Sequence, residues 1–296
     1  MLSSSHAHDR LEAVGLMFCA VTLFSCLDAS AKYLVMHSGL PTEEVVWMRF
    51  VGQFVPMLLV LGAIDFPGLV ATQKPWHQLA RSCLMAATTM FNFIAVRYLR
   101  LDQTVTIAFL APLLVALLAG PFLGEWVGWR RFFAILVGFC GILIAVHPGF
   151  QTIDPAYAYA FGSMIAYSAF MLLTRYLAAH DAPKATLFFS MFVGTFLGAP
   201  FALAHWVWPH SAFEWGQLLS LGAFGGLGHF LFIHAYRLAP ASIVTPFLYL
   251  QLLSMAALGY LVFGDVPDRF TIAGATVVIA SGLYLLHRER VVKHEE

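Results

Sequence analysis

Charge is what this sequence lacks. Asp, Glu, Lys and Arg make up 11% of the chain against 60% hydrophobic residues, and the mean hydropathy is +0.79. A soluble domain carries roughly 25% charged residues, so this chain cannot clothe a water-facing surface and is built to sit in lipid. Neither sign is in excess, with Lys+Arg 16 balancing Asp+Glu 16. The balance excludes the basic footprint of a nucleic-acid binder as well as an acidic tail. Cysteine is equally sparse: Cys19, Cys26, Cys83 and Cys140 each stand alone in an apolar run, with no C-x-x-C and no His/Cys cluster at metal spacing. They read as small core residues rather than ligands, and no metal or cofactor is expected. His6 and His8 read as part of a loose tail. There is no G-x-S-x-G, no H-E-x-x-H and no paired carboxylate, so an intramembrane enzyme has no visible machinery. A channel would want a ring of like groups or a filter, and none is apparent.

What the chain has in abundance is apolar runs of about 20 residues, the length of helix that crosses roughly 30 Å of hydrocarbon. Ten are legible, at about 11–36, 43–63, 77–97, 101–122, 129–147, 155–178, 184–206, 215–237, 241–263 and 270–287. The first is too long for a signal-peptide core of roughly 7–15 residues and reads as a retained span. Turn chemistry separates the runs, as in His37-Ser38-Gly39-Leu40-Pro41 and Phe263-Gly264-Asp265-Val266-Pro267. If the N-terminus is inside, eleven Lys/Arg from Arg10 to Lys293 lie on the inner side, and three, Arg97, Arg100 and Arg269, lie outside. Positive loop residues stay cytoplasmic, which predicts an inner-membrane protein with both termini in the cytoplasm.

The chain also repeats itself. Phe50-Val51-Gly52-Gln53-Phe54 returns as Phe192-Val193-Gly194-Thr195-Phe196, 142 residues on. Lys32-Tyr33-Leu34 returns as Arg175-Tyr176-Leu177, Arg97 as Arg237, Gly124-Glu125 as Gly264-Asp265 and Gly141 as Gly282, all at offsets of 140 to 143. Matches in register argue for a duplication. Each unit holds an odd number of spans, five, so the second copy enters from the opposite side. The expectation is an all-α integral membrane protein of ten transmembrane helices arranged as two inverted five-helix repeats. Its parts are an N-terminal tail (1–10), a first repeat (11–150), a second repeat (151–287) and a C-terminal tail (288–296).

Asp28-Ala29-Ser30-Ala31-Lys32-Tyr33-Leu34, Arg49-Phe50, the run from Tyr98-Leu99 through Pro112 to Phe122-Leu123-Gly124-Glu125, Trp129-Arg130-Arg131 and Val137-Gly138-Phe139-Cys140-Gly141 to His147-Pro148-Gly149 together resemble the drug/metabolite transporter superfamily, in its ten-helix EamA-like branch. Asp265 stands where that family often has Glu. The resemblance implies a carrier for small metabolites, with a cavity formed mainly by spans 1, 3, 4, 6, 8 and 9 and with spans 5 and 10 behind.

Three G-x-x-x-G pairs, Gly120/Gly124, Gly194/Gly198 and Gly222/Gly226, read as close helix contacts. Pro112 and Pro246 should kink spans 4 and 9. Ionisable groups within spans are functional candidates by default. Asp28 and Lys32, four apart on one face, can pair with each other or face cargo. Arg49 reads as an interface anchor beside Glu43 and Glu44, with a cargo anion as the alternative. His229 should share the packed face of Gly222 and Gly226, as a cavity or a core histidine. Asn92 and Gln251 can bind cargo or join helices, and Tyr249, Phe91 and Phe109 are candidate cavity aromatics. The predicted function is a secondary transporter moving a small polar or amphipathic metabolite by alternating access, with export of amino acids or metabolites in view. The alternatives are import of riboflavin or S-adenosylmethionine and, behind it, an intramembrane enzyme. The expected partners are a small-molecule substrate and the bilayer, with room for a homodimer.

Overall fold

A computed structural model describes residues 2–123, 129–146, 154–177, 180–238 and 245–295, and among them all regular structure is helical. The helices are α1 (Leu2–Met36), α2 (Thr42–Val70), α3 (Pro75–Tyr98), α4 (Leu101–Ala108), α5 (Ala111–Leu123), α6 (Trp129–Val146), α7 (Ala156–Leu177), α8 (Pro183–Ala204), α9 (Ala212–Leu238), α10 (Leu250–Leu258) and α11 (Arg269–Glu295). The described part of each expected span is largely helical. Five stretches, Leu11–Met36, Pro75–Tyr98, Ala156–Leu177, Pro183–Ala204 and Ala212–Ala235, are long and apolar enough to cross a membrane, and four shorter apolar helical stretches accompany them.

The breaks have local causes. Spans 4 and 9 are the two in which proline was expected to act. The chain leaves helix at Phe109 and resumes at Ala111, one residue before Pro112, and Thr245–Tyr249, which contains Pro246, is a 3-10 turn leading into α10. Pro lacks the amide that would close the ladder there. Asp65 (φ −154°, ψ 70°) interrupts α2, which runs past the expected end at 63. Its Oδ1 accepts the Gly68 amide at 3.0 Å, so it acts as the N-cap of a restarted turn that carries Pro67. The first ten residues were expected to be a loose tail. Instead α1 starts at Leu2, because neither Gly nor Pro stands before Gly15 to stop it. The expected Gly124-Glu125 match and the His147-Pro148-Gly149 turn lie outside the described residues.

Helices pair across the sequence: α1 along α9, α3 along α7, α2 along α8, α6 along α11, and α4 against α10. The repeated five-residue frames meet at this seam. The Phe50 ring occupies the notch at Gly194, where any Cβ would collide with it, and Gly222 of α9 lies directly on the Gly52 backbone. Only glycine permits such an approach, and in lipid it replaces the hydrophobic effect as a source of association. The helix ends gather on two faces. On the face away from the chain's termini, Tyr33 meets Phe213 and His37 meets Phe263, with ring centroids 5.9 and 6.0 Å apart. On the opposite face Lys184 bonds Asp65, and Asp181 accepts from Thr72 Oγ1 (2.5 Å), the Gln73 amide (2.8 Å) and Gln78 Nε2 (2.7 Å).

Candidate functional site

A polar seam crosses the interior where α1, α2, α3 and α9 meet. Asn92 Nδ2 donates to Asp28 Oδ1 at 2.9 Å, joining α3 to α1. Arg49, 7% exposed, donates through one terminal nitrogen to the Thr89 hydroxyl of α3, and Asp28 is the carboxylate in electrostatic contact with it. One helical turn along α2, Gln53 lies against Gly225 and Gly226 of α9. His229, one turn further on α9, sets its ring 5.0 Å from Phe24 of α1. Four buried polar atoms in this region, Arg49 Nε, Gln53 Oε1, Thr88 Oγ1 and His229 Nε2, have no hydrogen-bond partner among the described residues. Unmade bonds of this kind are costly in a protein interior.

Deeper toward the face of the termini lies Arg81, 5% exposed. Its Nε donates to Thr174 Oγ1 at 2.6 Å and one terminal nitrogen donates to Ser190 Oγ (2.6 Å) and the Thr186 carbonyl (3.2 Å). The Phe170 ring lies 4.3 Å from the guanidinium carbon. The charge is therefore held by hydroxyls, a carbonyl and a ring.

Two expectations are corrected. Asp28 and Lys32 do not pair: Asp28 binds Asn92, while Lys32 Nζ reaches Asp265 Oδ2 at 3.0 Å and the Leu99 carbonyl at 3.1 Å, over the Phe263 ring at 4.6 Å. The two groups lie on one helix face, but each finds a better acceptor or donor from a distant segment. Arg49 is no interface anchor, since it is buried on Thr89, and Glu44 is engaged with the Val207 amide. Among the other expected residues, Phe109 and Tyr249 stack edge to face at 4.9 Å within an apolar cluster, with Tyr249 pressed on Gly282. Phe91 covers Gly162 and faces Tyr159. Gln251 is half-buried on α10. Arg81, Gln53, Thr88 and Thr89 were missed. Arg81 was counted only among the inner-side charges, and hydroxyls inside apolar helices carry no spacing signal.

At the face away from the termini the Lys32–Asp265 pair has a companion. Arg100 pairs with Asp102 at 2.7 Å and with Asp268 at 3.4 Å. Gly264, at φ +72°, takes the left-handed turn that presents Asp265 to Lys32. Burial alone would push the Asp268 carboxyl up. The Thr271 and Phe270 amides, the Thr271 hydroxyl and nearby Arg100 outweigh it and hold the group below the usual aspartate value. An open cavity of about 400 Å³ on the same face is lined by Pro41, Thr42, Glu43, Ile94, Arg97, Tyr98 and His205.

Apolar helices of membrane-crossing length around a buried polar seam mark a multi-pass membrane protein. The chain belongs to the EamA-like transporter family, whose model matches residues 11–147 and again 154–287. It is 26% identical over 290 residues to the S-adenosylmethionine uptake transporter of Rickettsia felis, covering 96% of this chain and 97% of that one. It is 25% identical over 283 residues to the riboflavin transporter of Vibrio cholerae (95% of each chain) and 26% identical over 265 residues to the pseudopaline exporter CntI of Pseudomonas aeruginosa (88% of this chain, 91% of that one). A solved crystal structure shares the fold, with TM-score 0.64 and 16% identity, over 94% of this chain and 98% of that chain. The protein is a membrane transporter with small-molecule relatives, in a family of transporters rather than enzymes.

Proposed function

We propose that the chain is a secondary transporter of ten spans, with both termini in the cytoplasm of an inner membrane, that carries a small polar or amphipathic metabolite by alternating access. The observation that carries the reading is the seam itself. Asp28, Arg49 and Asn92 come from the first half and His229 from the second, with unpartnered polar atoms between them. A cargo bound there touches both halves and can be handed from one face to the other as they move.

The inverted repeat has support in the pairing of helices. With the segments numbered as spans, 1 pairs with 8 and 3 with 6, while 2 pairs with 7, 4 with 9 and 5 with 10. Exchanging every span n with n+5 returns the same set. A two-fold relation between the halves requires this pattern, and chance likeness of apolar helices does not. The Lys32–Asp265 and Arg100–Asp268 pairs tie the first half to the second at the face away from the termini, which on this reading is the outer face in a closed state.

A relative named for uptake and one named for export lie at the same identity, 26%. On this reading alternating access is symmetric and a gradient decides the direction. Counterflow in sealed proteoliposomes tests the reading, using preloaded pools of amino acids, flavins, nucleoside derivatives and amines with a trace of labelled cargo outside. Saturable accumulation of one pool, reduced by Asn92→Ala and Arg49→Met, is the expected result. Flux that rises without saturation, or product formed in detergent without compartments, would replace a carrier with a channel or an enzyme.

A further inference from the structure

Where α2 begins and α8 hands over to α9, a carboxylate is buried with no counter-charge paired to it among the described residues. Glu44 is 0% exposed. Its Oε2 accepts the Val207 amide at 3.0 Å, and its Oε1 has no hydrogen-bond partner among the described residues. No Lys, Arg or His forms an ion pair with it among those residues. A carboxylate taken out of water without a counter-charge is among the costliest placements a protein can make.

A cluster of tryptophans stands beside the segment that holds this group. Trp47 lies three positions on from Glu44 along the same face of α2, and its indole N–H is spent on the Thr195 carbonyl at 2.8 Å. Trp206 and Trp208 flank Val207. The Trp206 ring stands edge-on to Trp47 (5.8 Å, 89°) and to Trp208 (5.8 Å, 79°), and Trp215 closes the group at 6.5 and 6.1 Å. Trp206 Nε1 is a second buried polar atom without a hydrogen-bond partner among the described residues. Tryptophan belts are ordinary at a membrane–water boundary, but a belt explains the rings and not the buried carboxylate beside them. Aromatic faces around one negative charge are what binds an organic cation. A bare metal ion would want several oxygens, and one carboxylate oxygen is free here. The 400 Å³ cavity lies close by, lined by Thr42 and Glu43, just before Glu44, and by His205, just before Trp206. Glu43 and Arg97 on its wall offset each other.

We infer that Glu44, Trp47, Trp206, Trp208 and Trp215 form a site for a small organic ammonium or related onium cation at the face away from the termini, apart from the central seam. Glu44 neutralises the cation and the ring faces hold its alkyl groups. The site binds at equilibrium whether or not the chain transports anything.

The test is binding of tetramethylammonium to the full-length protein in nanodiscs, read by saturation-transfer NMR, with tert-butanol as the neutral comparison of similar size. Saturable binding of the cation, about tenfold or more tighter than of the alcohol, is expected. Glu44→Gln keeps an oxygen for the Val207 amide and should weaken binding about tenfold. Trp208→Ala, at a ring 70% exposed, leaves the carboxylate in place and should weaken it several-fold. Absent binding, equal binding of the alcohol, or binding indifferent to Glu44→Gln would each overturn the assignment. No transport is measured, so a failure of the carrier reading and a failure of this one are distinguishable.

Discussion

Neutralising one carboxylate should unlock the face away from the termini. Lys32 is 4% exposed, and its ammonium rests on Asp265, the Leu99 carbonyl and the Phe263 ring. Asp265→Asn leaves that ammonium buried with a neutral partner. Removing one member of a fully buried pair costs about 3–5 kcal/mol. The Asp265 side chain is 26% exposed and the Leu99 bond survives, so about 2 kcal/mol is the fitting figure. Lys32→Met should cost less, because the stranded Asp265 can turn to water, and the double variant should cost no more than Lys32→Met alone. If the pair holds only the closed state, about 2 kcal/mol raises a minor open population by roughly 30-fold. The assay is the rate at which a membrane-impermeant maleimide labels a cysteine at Thr88, in a background with the four native cysteines replaced by Ala. A rate unchanged by Asp265→Asn, or single effects that simply add, would refute the reasoning.

Helix contacts and charges elsewhere give further expectations. Gly222→Ala drives a methyl into the Gly52 backbone and should cost about 1–3 kcal/mol of stability, whereas Gly216→Ala, with nothing within 4 Å, should be neutral or raise the melting temperature in detergent. Arg49→Lys keeps the charge but loses the guanidinium fork, and should weaken counterflow about tenfold or more with the melting temperature little changed. Burial would raise the Asp181 carboxyl, but its donors Thr72, Gln73 and Gln78 outweigh this and hold it below the usual aspartate value. A depressed group of this kind contributes stability above its unfolded pKa of about 3.9 and loses it as pH falls through the folded value. The melting temperature should therefore hold down to about pH 4 and fall below it, with Asp181→Asn flattening the drop.

Length and composition made the spans legible because a bilayer imposes a minimum apolar run on every crossing, and the prolines marked the broken helices for a covalent reason. The glycine frames were legible as contacts because only small residues let helices approach in lipid. The partners of charged groups were not. Local spacing offered Lys32 the carboxylate at Asp28, yet the bond goes to Asp265, 233 residues away, because a left-handed turn at Gly264 carries it there. Glu44, five positions from Arg49 in sequence, is held by an amide 163 residues distant. Arg81 fell inside the expected span at 77–97 but was counted only among the inner-side charges. The hydroxyls of Thr174 and Ser190 that hold it come from two other helices, α7 and α8.

The contact of Gly52 with Gly222 has a mechanical consequence. Two bare backbones meet there, so no side chains need to be unlaced at the contact itself when α2 tilts against α9, and the point can serve as a fulcrum. Thr42, where α2 begins, lies ten residues from it, a lever arm of about 15 Å along a helix. A tilt of about 15°, the size of a subunit rotation in well-studied switches, would carry that end roughly 4 Å. A helix end travelling so far outruns the reach of any hydrogen bond or ion pair at the rim, so a small turn at the glycines amounts to a full disengagement at the mouth.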